Sequence, residues 1–245
     1  MRTLLDEQFA PLTSSIGFLE VPLEKATQGL EKWRRGLYDY VYLSRPPEAF
    51  PQVLHRLEPL MAGARPRELL VSAGDMWTAY FDCSLFGTDA VSTISHLCST
   101  LLCTGLSVRS KPHTIGQPGI QQGRSGSVTF ELYGPLRTDF LNFVRTVSVV
   151  HDGNRWVWDT SGTVQPFEET AAYTARRVRD RFTSEMLERY CQAMGLDVFN
   201  PTIYGPDAVL FQSGVVVPDD AVSMTLAQAQ EWAEITPGTA ARLPG

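Results

Sequence analysis

Hydrophobic and polar positions along the chain fall into short blocks whose period changes. Ser15 to Val21 reads as a strand, and Pro22 then opens a pattern in which Leu23, Ala26, Leu30, Trp33 and Leu37 recur every three or four residues, predicting a helix. Pro46, Pro47 and Pro51 break the chain before a second short helix carrying Phe50, Val53, Leu54 and Leu57, which ends near Pro59 and Gly63. Glu68 to Ala73 and Trp77 to Cys83 are strand-like on either side of Gly74-Asp75, a hairpin signal. Thr88 is placed to cap a helix over Asp89 to Cys103, because Ala90, Val91, Ile94, Leu97, Cys98, Leu101 and Leu102 form one apolar stripe that stops before Gly105.

Leu106 to Ser110 supplies the next strand and completes the order β-α-(α)-β-β-α-β, the split βαβ order of ferredoxin-like domains. From Thr114 to Gly126 the chain is rich in glycine and glutamine and reads as a mobile loop. Strands resume where Val128, Phe130 and Leu132 alternate with polar neighbours, and Val147 to His151 and Arg155 to Trp158 flank the turn Asp152-Gly153-Asn154. Two helices are expected next, Glu168 to Phe182 and Ser184 to Met194, with Thr183 capping the second and Gly195 ending it. Beyond Gln212 the pattern allows an edge strand at Val215 to Val217, a helix at Leu226 to Ile235 and a loose tail. The expectation is an α+β protein: an antiparallel-rich mixed sheet of about seven strands with a split βαβ-like core, helices on one face and a C-terminal helical pair. Residues 1–212 form the body as a single domain, and 213–245 form a C-terminal extension.

Composition narrows the function classes. The 245 residues are 43% hydrophobic and 20% charged, enough to bury a substantial core, and a net charge of −6 offers no global field toward nucleic acid or anionic lipid. No stretch reaches the roughly 18 to 20 apolar residues of a membrane helix, and the first residues turn acidic at Asp6-Glu7. Cys83, Cys98, Cys103 and Cys191 lack the spacing of a disulfide framework, so a soluble cytoplasmic protein with reduced thiols is expected.

No C-x-x-C, H-x-x-x-H or H-E-x-x-H is present, nor any G-x-S-x-G, Walker loop or G-x-G-x-x-G, and neither a metal nor a cofactor is expected. His96 projects off the apolar stripe of its helix and reads as a solvated or surface-bonded histidine rather than a ligand. Asp159-Thr160-Ser161-Gly162 resembles the Asp-Thr-Gly turn of aspartic proteases, but only one copy occurs and Ser161 interrupts it. Lys111-Pro112-His113-Thr114 leads from a strand into the glycine-rich loop, a position suited to an acid/base histidine beneath a lid, with Asp82 near the same rim and Arg124 in the loop. Arg176, Arg177, Arg179 and Arg181 form a basic cluster in which Arg177 and Arg181 stack at helical spacing. Five acids balance five arginines between Glu168 and Gly195, so a salt-bridged face is favoured over a phosphate site. The candidate binding residues are thus His113, Arg124, Arg177 and Arg181, and the candidate catalytic pair is His113 with Asp82.

The run Arg155-Trp156-Val157-Trp158-Asp159 to Gln165-Pro166-Phe167-Glu168-Glu169, continuing through Tyr173, Arg176 to Thr183 and Glu188-Arg189-Tyr190, resembles uncharacterised proteins of high-GC actinobacteria, as do Gly74 to Phe81 and Gly87-Thr88-Asp89. The resemblance covers about 69–210 and carries no established activity. The strand, Phe-Glu and Tyr pattern is also similar to some immunity-type proteins of bacterial conflict systems. Three functions are carried forward: a non-catalytic protein-binding role of immunity or defence type, whose acidic surface suits a basic partner; an enzyme acting on a small molecule at His113; and a structural subunit of an assembly. The partner expected is another protein, with no nucleic acid and no membrane.

Overall fold

A computed structural model describes residues 2–114 and 123–237. The chain builds β1 (Ser15–Leu19), α1 (Leu23–Arg35), β2 (Val41–Ser44), β3 (Leu60–Met61), β4 (Arg67–Ala73), β5 (Trp77–Asp82), α2 (Val91–Leu101) and β6 (Gly105–Lys111). There follow β7 (Ser127–Tyr133), β8 (Phe143–His151), β9 (Trp156–Gly162), α3 (Ser184–Ala193), β10 (Tyr204–Ser213), β11 (Ser223–Met224) and α4 (Leu226–Trp232).

Among the described residues, nine strands form one antiparallel sheet in the order β2-β10-β4-β5-β1-β6-β7-β8-β9, and β11 pairs with β3 in a small second sheet. β5 lies between β1 and β4, and the chain runs from β1 to β4 through α1, β2 and β3. All seven strands expected from the sequence are in the sheet; β2 and β10 raise the count to nine. β10 carries Gly205-Pro206 directly after its first residue and an irregularity between Tyr204 and Ala208, which hides its alternation from a pattern reading.

Both faces of the sheet are covered, not one. α1 and α2 pack on the face presenting Leu70, Tyr80, Tyr133 and Phe211, while α3, α4 and several short 3₁₀ turns cover the face presenting Leu69, Phe81, Val108 and Phe130. Burial on both sides explains why every residue of β1 and β5 is inside. Gly17 and Gly105 allow α2 to seat closely: a Cβ on Gly17 would lie 2.7 Å from the Ala90 Cβ, and one on Gly105 would lie 2.4 Å from Cys98 Sγ.

The helix expected over Glu168 to Phe182 is replaced by 3₁₀ turns at Thr170–Thr174 and Val178–Asp180. A tertiary network outcompetes the local period. The buried Glu168 carboxylate accepts from Arg145 Nε and Nη2 at 2.9 and 2.7 Å and from Tyr173 at 2.7 Å, and Tyr190 Oη accepts from the Glu169 N–H. Thr183 does cap α3, accepting from the Met186 N–H. Thr88 does not cap α2: its hydroxyl donates to the Leu12 carbonyl, and Ala90 stands at the N-cap. In the C-terminal extension, Val215 to Val217 is not a strand, whereas α4 docks Leu226 and Ala229 into the core and its Leu226 N–H donates to Glu58. Residues 238–245 lie outside the described residues.

Candidate functional site

The chemistry expected at the end of β6 is arranged differently from the sequence reading. His113 packs against His151 with ring centroids 4.1 Å apart, and Trp156 meets both rings edge-on at 5.3 and 5.4 Å. His113 Nδ1 accepts from the Gly126 N–H and His151 Nδ1 from the Gly153 N–H, so both ring nitrogens facing the backbone are occupied. Burial, then the closeness of the His151 ring, holds His113 below the ordinary histidine range. Residues 115–122 of the expected lid lie outside the described residues.

Asp82 does not join this group. It is fully buried at the end of β5, where its carboxylate accepts from the Ser84 and Asp89 N–H groups at 2.9 and 3.1 Å and meets Arg65 at 3.3 Å. Arg124 is buried as well: Nη1 and Nη2 donate to Glu7 at 2.6 and 3.1 Å, which makes it an internal ion pair rather than a binding residue. Arg177 is exposed, Arg181 donates to the Ala175 carbonyl, and the two do not stack, because the segment is not an α-helix. Among the described residues, the ion pairs of this region are Arg179 with Asp180, Arg189 with Glu169, Arg145 with Glu168 and Arg2 with Glu188, and none involves Arg176, Arg177 or Arg181.

A concave surface lies elsewhere, on the outer face of α1 and α2. Gly29 lets the helices approach, since a Cβ there would sit 2.8 Å from the Leu101 side chain. One turn on, Trp33 of α1 stacks on His96 of α2, with centroids 4.0 Å apart and an interplanar angle of 19°. Trp33 and His96 together line two adjoining grooves of about 450 and about 520 Å³. The first is walled by Ser92, Ser95, Ser99, Arg137 and Leu141, the second by Lys25, Lys32, Leu37, Thr100 and Leu101.

A buried polar network fixes this surface from beneath. Arg34 places its guanidinium 3.9 Å from the Trp33 ring centre and donates to both Glu68 oxygens at 2.8 and 2.6 Å. Tyr80 also donates to Glu68, and Thr93 receives a bond from Arg34 and donates to Tyr80. Burial alone would lower the Arg34 pKa, but pairing with Glu68 outweighs it and raises it. His96 is held below its ordinary range, first by burial and then by the Arg34 charge.

Electrostatically the grooves stand apart from the rest of the chain. Two of the protein's three lysines, Lys25 and Lys32, line them together with Arg137, and among the described residues no lining side chain is acidic. The apolar rim is open to solvent: Leu37 is 54% exposed, and the loop supplying Arg137 also carries Phe140, 69% exposed. Among the described residues, neither Ser95 nor Ser99 pairs with the groove histidine: Ser95 Oγ donates to Asn142 and Ser99 Oγ to the His96 carbonyl. Among the described residues no three His, Cys, Asp or Glu side chains cluster as metal ligands.

Sequence reasoning missed this surface because Trp33 falls in the apolar stripe of α1, while His96 reads as solvated on its own helix. The local hint was the row of polar residues Ser92, Ser95, His96 and Ser99 on an otherwise apolar helix. Comparison with protein-family models, characterised proteins and solved structures returned no match.

Proposed function

We propose that the protein acts by binding another protein, without catalysis of its own, and that the grooves beside Trp33 and His96 receive an acidic, partly apolar segment of that partner. The observation that carries this reading is a cation-lined, aromatic-floored surface in a chain of net charge −6. The partner's contacting segment is therefore acidic here, in contrast to the basic partner that net charge alone suggests. Both the apolar rim and the lysines contribute, the first through desolvated area and the second through steering and register. Nucleic acid is the poorer fit: the Trp33 ring is already engaged by His96 and Arg34, and three cations make a short phosphate track. The immunity or defence role rests on the sequence resemblance. A cytoplasmic setting is supported by four free, buried cysteines. Among the described residues, no helix is long and apolar enough to cross a membrane.

The test is fluorescence anisotropy with a labelled amphipathic peptide of glutamate and leucine, alongside its lysine and leucine counterpart. The acidic peptide is expected to bind, and Lys25→Glu/Lys32→Glu to weaken it by about tenfold or more while leaving the melting temperature unchanged. Equal affinity for the two peptides, or indifference to the double charge reversal, would overturn the reading.

A further inference from the structure

We infer that β9 is an interface for a second copy of this chain, pairing antiparallel with its own symmetry mate about Val157. β9 is the last strand of the sheet, with β8 on one side and no backbone partner on the other among the described residues. It is seven residues long, whereas the opposite edge strand, β2, has four. A free edge of that length is a template for strand addition.

The hydrogen-bond phase is suited to such a partner. Arg155 O accepts from the Asp152 N–H, and Thr163 N–H donates to Val144 O, with Val157 paired to Val150 between them. Bonds to β8 therefore fall on the odd-numbered residues of β9. By the alternation of an antiparallel ladder, the N–H and C=O groups of Trp156, Trp158 and Thr160 point outward.

Side chains then choose both the occupant and the register. The edge reads Arg155-Trp156-Val157-Trp158-Asp159, which is complementary to itself when reversed. Turning the strand about Val157 sets Arg155 opposite Asp159 of the second copy, twice by symmetry. It also sets Trp156 opposite Trp158, with their outward backbone groups exchanging the ladder bonds. Centring on Asp159 would oppose two carboxylates, and centring on Trp158 would leave both charges across from uncharged residues. Arg155 and Asp159 are exposed; Arg155 meets Asp152 of its own hairpin turn only at 4.0 Å, and Asp159 makes no ion pair within the chain among the described residues. Trp156 and Trp158 are half-buried and Val157 is 38% exposed, which leaves apolar area for the second copy to cover. A contact of this size is smaller than that of an obligate dimer, so the association is reversible.

Sedimentation velocity of the full chain over a wide concentration range reads the proposal. Wild type is expected to show a reversible monomer–dimer equilibrium. Asp159→Arg and Arg155→Asp should each weaken dimerisation by about tenfold by placing like charges opposite one another. The combined Arg155→Asp/Asp159→Arg chain should return to near wild-type affinity. Circular dichroism and melting temperature should be unchanged, and because either single variant reports the same contact, failure of one to fold leaves the other to decide. A chain that stays monomeric at every concentration, growth into open-ended oligomers, or dimers that the single reversals leave intact would each overturn it. A monomer captured at this edge by a different protein would overturn it too.

Discussion

Arg124→Ala is expected to lower folding stability by about 3 to 5 kcal/mol, a loss that comes from stranding a buried charge. The Arg124 and Glu7 side chains are 8% and 3% exposed and meet through two hydrogen bonds. Removing the guanidinium leaves the Glu7 carboxylate inside without its hydrogen-bonded cation; Lys111 is near enough to feel its charge, but among the described residues makes no ion pair with it. That carboxylate is held inward by a costly backbone, since Leu5, Asp6 and Glu7 all take left-handed conformations with φ of 54°, 50° and 57°. Each such residue costs roughly 1 to 2 kcal/mol, so the segment has little reserve once its anchor is gone. Urea unfolding should show Arg124→Ala strongly destabilised and Glu7→Leu/Arg124→Met largely recovered, because deleting both partners strands nothing. Binding at the α1–α2 groove should be unchanged in the refolded variant. A midpoint for Arg124→Ala equal to wild type, or a double variant no better than the single, would show that the pair does not anchor the N-terminal segment.

The same long-range pairing separates what was readable in the sequence from what was not. β4, β5 and β7 were legible because each carries a buried apolar run bounded by turn residues, and local pattern and tertiary burial agree. The segment from Glu168 to Phe182 departs from its pattern for the opposite reason: its apolar spacing suits a helix, but Arg145 and Tyr190 reach the Glu168-Glu169 corner from other parts of the chain, and Tyr173 turns back to join them. Arg124 looked like a loop cation because its partner, Glu7, is 117 residues away. The α1–α2 groove was hidden by the same distance effect. Trp33 and His96 each have an ordinary explanation on their own helix, and only the crossing at Gly29 makes them one surface. His113 was correctly placed at the exit of β6, yet nothing local announced that His151 and Trp156 would close around it.

Asp82 supplies the second large effect, and it takes the form of a pH dependence. A carboxyl group near neutrality is what an acid/base catalyst needs, and burial pushes Asp82 up to about 7 despite the Ser84 and Asp89 N–H groups and the Arg65 charge, which all pull it down. The side chain is nonetheless sealed from solvent and commits its oxygens to the loop that joins β5 to α2, so the raised value is a cost of structure. Its unfolded value is close to 4, which means the folded chain holds this proton more tightly than the unfolded one. The stability linked to it is therefore fully present below about pH 4 and is lost as pH rises through 7. Raising a carboxyl pKa from about 4 to about 7 is worth roughly 4 kcal/mol over that window. Wild type is expected to lose this amount relative to Asp82→Asn, which stays neutral throughout, when unfolding free energies are compared from pH 4 to pH 8. The variant is destabilised at pH 4, where Asp82 is itself neutral and the amide cannot accept both backbone bonds; the gap should close or reverse by pH 8. Two stability curves that run parallel across this range would mean that Asp82 is ionised at both ends, and that Arg65 with the two backbone donors outweighs its burial.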